Sequence, residues 1–188
     1  MKSKVYIING PARAGKDTFI ELAEDLCFAY KSKYDIMSKS TIENLAYIAK
    51  DQFGYNPEVK SDKDRKFLSD FKRLVDDYCD YTFKTVTSTI DIDIKNRDRF
   101  VLASPVVYFV HVREPYNIYR FTKHFYKSKT IFVDTTRNIH SVTNNESDLN
   151  VRDYDYDITI HNDGSIEDYR EVVKRFLISE NIIEVNKK

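Results

Sequence analysis

Glycine is scarce in this chain, with four in 188 residues, and two of them, Gly10 and Gly15, fall in a single short turn. Cysteine is scarcer. Cys27 and Cys79 are too few and too scattered for a disulfide framework or a zinc cluster, and both lie in helical patterns, which predicts packed thiols in a reducing compartment. No apolar run approaches membrane-spanning length, which argues against a membrane partner. There is no surplus of charge: 30 Lys+Arg stand against 30 Asp+Glu. A global basic field that would gather nucleic acid is thereby excluded, and any anion site must be local. Repeats, low-complexity tracts and Pro/Gly-rich linkers are missing too, so residues 1–188 read as one domain. The opening Met-Lys-Ser-Lys leads at once into a five-residue apolar strand, too short for the core of a signal peptide, and a cytoplasmic location is expected.

What is present is an alternation of two periods. Val5 to Asn9 is short, apolar and β-branched and reads as a buried strand, followed by Phe19, Ile20, Leu22, Ala23, Leu26, Cys27 and Tyr30 at helical spacing. A weaker strand covers Tyr34 to Ser38, and a helix from about Thr41 to Phe53 ends at Gly54. Phe67, Leu68, Phe71, Leu74, Val75 and Tyr78 form a third apolar stripe, and Phe83, Val86, Thr87 and Ile90 a fourth. "VVYFVHV", Val106 to Val112, is the continuous apolar run of a strand buried on both faces. Pro115 then suits the first turn of a helix carrying Ile118, Phe121 and Phe125. Strands follow at Thr130 to Val133 and Tyr156 to Ile160. A last helix runs from Ser165 to about Ile178, its start marked by a capping box of Ser165 and Asp168. The pattern predicts an α/β layered fold with a mainly parallel sheet.

The two glycines of the first turn now acquire a reason. "GPARAGKDT" has the phosphate-loop spacing G-x-x-x-x-G-K between a strand and a helix. Glycine lets the backbone curl so that successive N–H groups, from Gly10 through Ala12, Arg13, Ala14 and Gly15, form a concave anion nest at a helix start. Lys16 would reach the β- and γ-phosphates of ATP, and Thr18 or Asp17 would serve Mg2+. The residue after the lysine is usually Ser or Thr; here it is Asp17. Its carboxylate either holds the metal directly or through water, orients the acceptor, or simply favours the helix dipole.

With these residues the chain resembles the deoxynucleoside monophosphate kinases known best from bacteriophages, within the P-loop nucleotide kinase group that includes dephospho-CoA and phosphomevalonate kinases. "GKDT" is the most specific piece; "VKSDKDRKFLSDFKRLVDDY", "YFVHVREPYNIYRF" and "YDYDITIHNDGSIEDY" follow in the family's order. The resemblance implies a three-layer P-loop NTPase fold: a central, mainly parallel five-stranded sheet with helices on both faces, an acceptor-binding helical region at about 38–100 and a small lid at about 135–152. It implies ATP and Mg2+ as cofactors, small-molecule nucleotide substrates, and transfer of phosphate to a (deoxy)nucleoside monophosphate. A homodimer is compatible with it.

Carried onto this sequence, Lys16, Asp17, Arg113 and Arg137 become the catalytic candidates, and Arg65 and Arg113 the grip on the acceptor phosphate, because a guanidinium fork binds phosphate oxygens in pairs. Two departures stand out. His111 occupies the place where the family often has an Asp, leaving Asp134 or Asp35 to substitute. Glu43 and Asn44 stand where similar kinases put a lysine near the acceptor. Alternatives stay open: a non-catalytic nucleotide-binding module, or a kinase of another small phosphorylated acceptor. Tyr47, Tyr119 and Phe121 are candidates to stack on a base. The four histidines have no metal-ligand spacing, and His111 reads as a hydrogen-bonded sheet residue.

Overall fold

A computed structural model describes residues 2–57, 61–100, 103–136 and 151–184. Five strands form one sheet: β1 (Lys4–Asn9), β2 (Asp35–Ser40), β3 (Val106–His111), β4 (Lys129–Asp134) and β5 (Ile158–His161). Their order is β2-β3-β1-β4-β5, and every pairing is parallel. Parallel neighbours need crossovers, and the helices supply them. They are α1 (Lys16–Ala29), α2 (Glu43–Phe53), α3 (Asp62–Cys79), α4 (Tyr81–Arg99), α5 (Pro115–His124) and α6 (Ile166–Ser179).

The sheet is buried on both faces because its strands alternate between two cores. Val107 and Phe109 of β3 join Phe19, Leu26, Tyr169 and Phe176, under α1 and α6. Val106, Tyr108 and Val110 point the other way, to Val86, Ile90, Ile118 and Phe121 of α4 and α5. Three layers result. A third, smaller cluster of Leu45, Ala49, Tyr55 and Leu68 holds α2 and α3 together.

Local chemistry explains the element ends. Ser165 accepts from the Asp168 amide while the Asp168 carboxylate returns to the Ser165 amide, and Ser61 and Asp64 do the same for α3. Gly54, at φ +69, closes α2. The threonines of α4 settle in a helix because Thr87 and Thr89 hydroxyls donate to the carbonyls of Phe83 and Thr85, each at 2.8 Å. A single residue, Asp80, separates α3 from α4, in the left-handed region at φ +56. Cys27 is buried as expected; Cys79, on the outer side of α3, is exposed and corrects the expectation of a packed thiol.

β1 lies at the centre, and the chain leaves it toward β2 on one side and later crosses it to β4 on the other. The loops after β1 and β3 therefore diverge, opening a crevice at the C-terminal ends of the strands.

Candidate phosphate-binding site

The turn between β1 and α1 is a strained curl held from outside. Gly10 has φ +149 and Gly15 φ +97, and Arg13 between them is also left-handed at φ +63. A Cβ on Gly10 would sit 2.3 Å from the backbone oxygen of Val133, so the loop passes too close to β4 for any side chain there. Asn9, buried at the end of β1, accepts from the Gly10 amide at 2.8 Å and donates to the Arg113 carbonyl at 3.0 Å and the Tyr156 hydroxyl at 2.7 Å. Asn162, buried beyond β5, donates to the Ala14 carbonyl at 2.9 Å, and the Tyr169 hydroxyl donates to Gly15 O at 3.1 Å. Gly15 is the N-cap of α1, so the loop delivers its amides to a helix start with a favourable dipole for anions.

Lys16 folds back across this cup. Its ammonium donates to the carbonyls of Gly10 and Pro11, both at 2.7 Å. The next residue, Asp17, exposes 91% of its side chain and so keeps its carboxylate in water at the loop mouth. His111 Nε2, at the end of β3, lies 3.8 Å from it. Burial pushes the His111 pKa down to about 4; the cations Lys16 and Arg113 add to that, and Asp17 opposes it. The ring is therefore neutral at neutral pH. No hydrogen bond joins it to a described residue, which corrects the expectation of a hydrogen-bonded sheet histidine.

A cavity of about 610 Å³ opens from this loop. Ala12, Arg13, Lys16 and Asp17 line one side; Arg65 and Lys72 of α3, and Arg113 after β3, line the rest together with the hydroxyls of Ser38, Ser40 and Ser69. Five cationic side chains meet three carboxylates, Asp17, Glu43 and Glu114, in a chain of zero net charge. The surplus of positive charge is local. Arg65 and Arg113, 48 positions apart in sequence, thus face one space with the loop.

Other expected residues fall elsewhere. Thr18, one step of about 100° around α1 from Asp17, is absent from the cavity lining. Asp35 sits at the N-terminal end of β2, bound to Arg97 at 3.0 Å, on the far edge of the sheet from the loop. Asp134 is at the proper end of β4 but is ion-paired with Arg152 at 2.7 Å and does not line the cavity. Neither lines the cavity. Phe121 is core, 1% exposed, and Tyr47 and Tyr119 lie outside the cavity; Tyr55 is the aromatic in its wall. Thr135 and Thr136 donate to the Asn162 carbonyl and the Asp163 carboxylate, joining the ends of β4 and β5. Arg137 and most of the 135–152 segment lie outside the described residues.

Lys72, Asn9, Asn162 and Tyr156 were not singled out from the sequence. Long-range partners place them, Glu114 for Lys72, Arg113 and Tyr156 for Asn9, and Ala14 for Asn162, and nothing local marks them. Among the described residues no group of three or more His, Cys, Asp or Glu is arranged to hold a metal ion. That donor set fits magnesium arriving on phosphate oxygens, since this cation commonly takes only one or two carboxylates from protein. Asp17 is the exposed carboxylate at the loop mouth. Among the described residues no helix is long and apolar enough to cross a membrane.

No protein-family model matches the sequence, and no curated protein matches it. Solved structures do match in shape. Dephospho-CoA kinase from Campylobacter jejuni aligns over 96% of this chain and 98% of its own, at 14% identity and a TM-score of 0.51. Shikimate kinase from Aquifex aeolicus aligns over 95% and 96%, at 15% identity and a TM-score of 0.49. The APS kinase CysC of Mycobacterium tuberculosis, in complex with AMPPNP and APS, aligns over 94% and 98%, at 13% and 0.48. Identities this low speak to fold alone, and the first of the three carries that statement. With the all-parallel order 2-3-1-4-5, it establishes the architecture as the P-loop kinase fold.

Proposed function

We propose that this chain is an ATP-dependent phosphotransferase acting on a small phosphorylated acceptor, a (deoxy)nucleoside monophosphate first among them, giving the diphosphate and ADP. One observation carries the reading: a single cavity joins the loop after β1 to a wall bearing Arg65, Lys72 and Arg113. A protein that only bound ATP would need the loop and no second cluster of cations facing it.

The chemistry then follows from position and charge. Lys16 exchanges the Gly10 and Pro11 carbonyls for the β- and γ-phosphate oxygens. Asp17 would hold magnesium, which would supply Lewis-acid charge to the phosphates. Arg65 and Arg113 hold the acceptor phosphate, so that an oxygen on it lies in line with the γ-phosphorus. No base is required, because the acceptor oxygen is already ionised. Arg137 is assigned to the charge on the transferred group, and 135–152 to a lid, from the sequence alone.

The test is ADP release from Mg-ATP in the presence of a panel of nucleoside monophosphates and other phosphomonoesters. Acceptor-dependent turnover is expected, and Lys16→Ala should lower kcat about 100- to 1000-fold. Tight ATP binding without acceptor-dependent release would favour a nucleotide-binding module instead. Full turnover in Lys16→Ala would overturn the assignment of the loop.

A further inference from the structure

We propose that Lys72 is a third ligand of the acceptor phosphate, held ready between two carboxylates, and that it makes the site select acceptors already carrying a phosphate dianion. The inference rests on the kinase reading above.

Its basis is one face of α3. Arg65, Leu68, Ser69 and Lys72 recur at i, i+3, i+4 and i+7, a single helical stripe, and all four line the cavity. Arg65 stands at one end of that stripe and Lys72 at the other. The Lys72 side chain is only 15% exposed, so its ammonium is held in place by partners. Nζ lies 3.2 Å from Glu114 Oε1 and 3.4 Å from Asp76 Oδ2.

Both carboxylates are fixed in turn. Asp76 accepts from the Thr82 amide and hydroxyl, each at 2.8 Å, at the start of α4. Glu114 accepts from Asn117 at 3.3 Å; burial would raise its pKa, but Lys72 and these hydrogen bonds outweigh that and hold it below the usual carboxylate range. Glu114 directly follows Arg113, so one turn carries both a cation of the wall and the anion that restrains Lys72.

An ammonium has three N–H groups, and its contacts here, one oxygen from each carboxylate, occupy at most two. A pin between helices would serve equally well pointing away from the cavity; this one lies in its wall. The charge count gives the selectivity. Of the wall residues that line the cavity, Arg65, Lys72 and Arg113 stand against Glu114, a surplus of two positive charges that a phosphate dianion offsets. A neutral acceptor offers Lys72 no anion to bind.

Steady-state kinetics on the full chain separate this from a structural role. Lys72→Met should raise the acceptor KM about 10- to 100-fold with the ATP KM within about twofold, and Lys72→Arg should recover most of the loss. Glu114→Gln removes a negative charge beside the phosphate and should lower the acceptor KM. An unchanged acceptor KM in Lys72→Met, or an equal rise in both KM values, would overturn the proposal. So would a Glu114→Gln protein whose acceptor KM rises, since that is the mark of a broken pin. If Lys72→Met does not fold, the direction of the Glu114→Gln change decides alone. A wild-type chain that transfers phosphate to no phosphorylated acceptor overturns the kinase reading and this inference with it; turnover with Lys72 immaterial overturns the inference only.

Discussion

The two sides of the cavity are held by different means. Around the loop, buried Asn9, Asn162 and Tyr169 bond directly to backbone atoms of Gly10, Ala14 and Gly15. Across the cavity, α3 and α5 are tied at their ends by ion pairs between half-buried side chains, Lys72 with Glu114 just before α5 and Arg120 with Asp80 just after α3. Leaving a buried polar group unpaired costs about 1–3 kcal/mol, whereas an exposed ion pair is worth about 0–1 kcal/mol. The loop is thus specified by main chain that cannot shift cheaply. The facing wall is specified by side chains that can exchange partners. On the proposed function, rigidity falls on the side that meets the invariant triphosphate and adjustability on the side that meets the acceptor.

That contrast is broken most severely at Gly10. Gly10→Ala places a methyl against the Val133 carbonyl, in a backbone conformation that L residues avoid, and neither side can yield. A loss of about 3 kcal/mol or more in urea unfolding, with ATP binding abolished, is expected. A smaller effect comes from the other wall. Arg120→Ala removes the bidentate partner of Asp80, and because both side chains keep some exposure the cost should be about 1 kcal/mol, with ATP affinity unchanged and the acceptor KM raised.

Acidification sharpens the same point. Arg120, by its hydrogen bond and charge, holds the Asp80 pKa below its usual value. The pair's contribution is present above the unfolded carboxylate value, near about 3.9, and is lost as pH falls through the lowered one. Arg120→Ala should flatten that acid limb of a stability-against-pH curve. A loop-side change that proved mild, or a wall-side change that abolished ATP binding, would dissolve the distinction.

The same division decides what the sequence discloses. Elements whose signals are local could be read directly: the apolar run of β3, Gly54 at the end of α2, and the Ser165 and Asp168 box. The weaker β2 is found at Asp35–Ser40, a residue or two beyond the Tyr34 to Ser38 expectation, because its half-exposed edge lacks an apolar boundary. The loop was legible because glycine and lysine spacing encode its curl. The residues that brace it were not. Asn9 and Asn162 resemble ordinary turn residues, and their partners lie 104 and 148 positions away.

Arg65 stands in "KSDKDRK", whose charge pattern reads as a solvated surface, and only the resemblance drew attention to it. Lys72 is one more lysine on an amphipathic helix until α5 is folded beside it. Phe121 shows the opposite error: an aromatic that composition offers as a base-stacking group is consumed by the core.

Asp80 has a mechanical consequence. α3 runs from Asp62 to Cys79, and Arg65 lies 15 residues before the single left-handed residue that joins it to α4. At 1.5 Å per residue that is about 22 Å of stiff rod, so a turn of about 5° at the joint displaces the Arg65 backbone by about 2 Å. Lys72, roughly midway along, travels about half as far. One dihedral pair therefore sets the direction of α3 relative to α4, and with it the distance of the far guanidinium from the loop after β1. Residue 80 is where a small change in sequence would be magnified most.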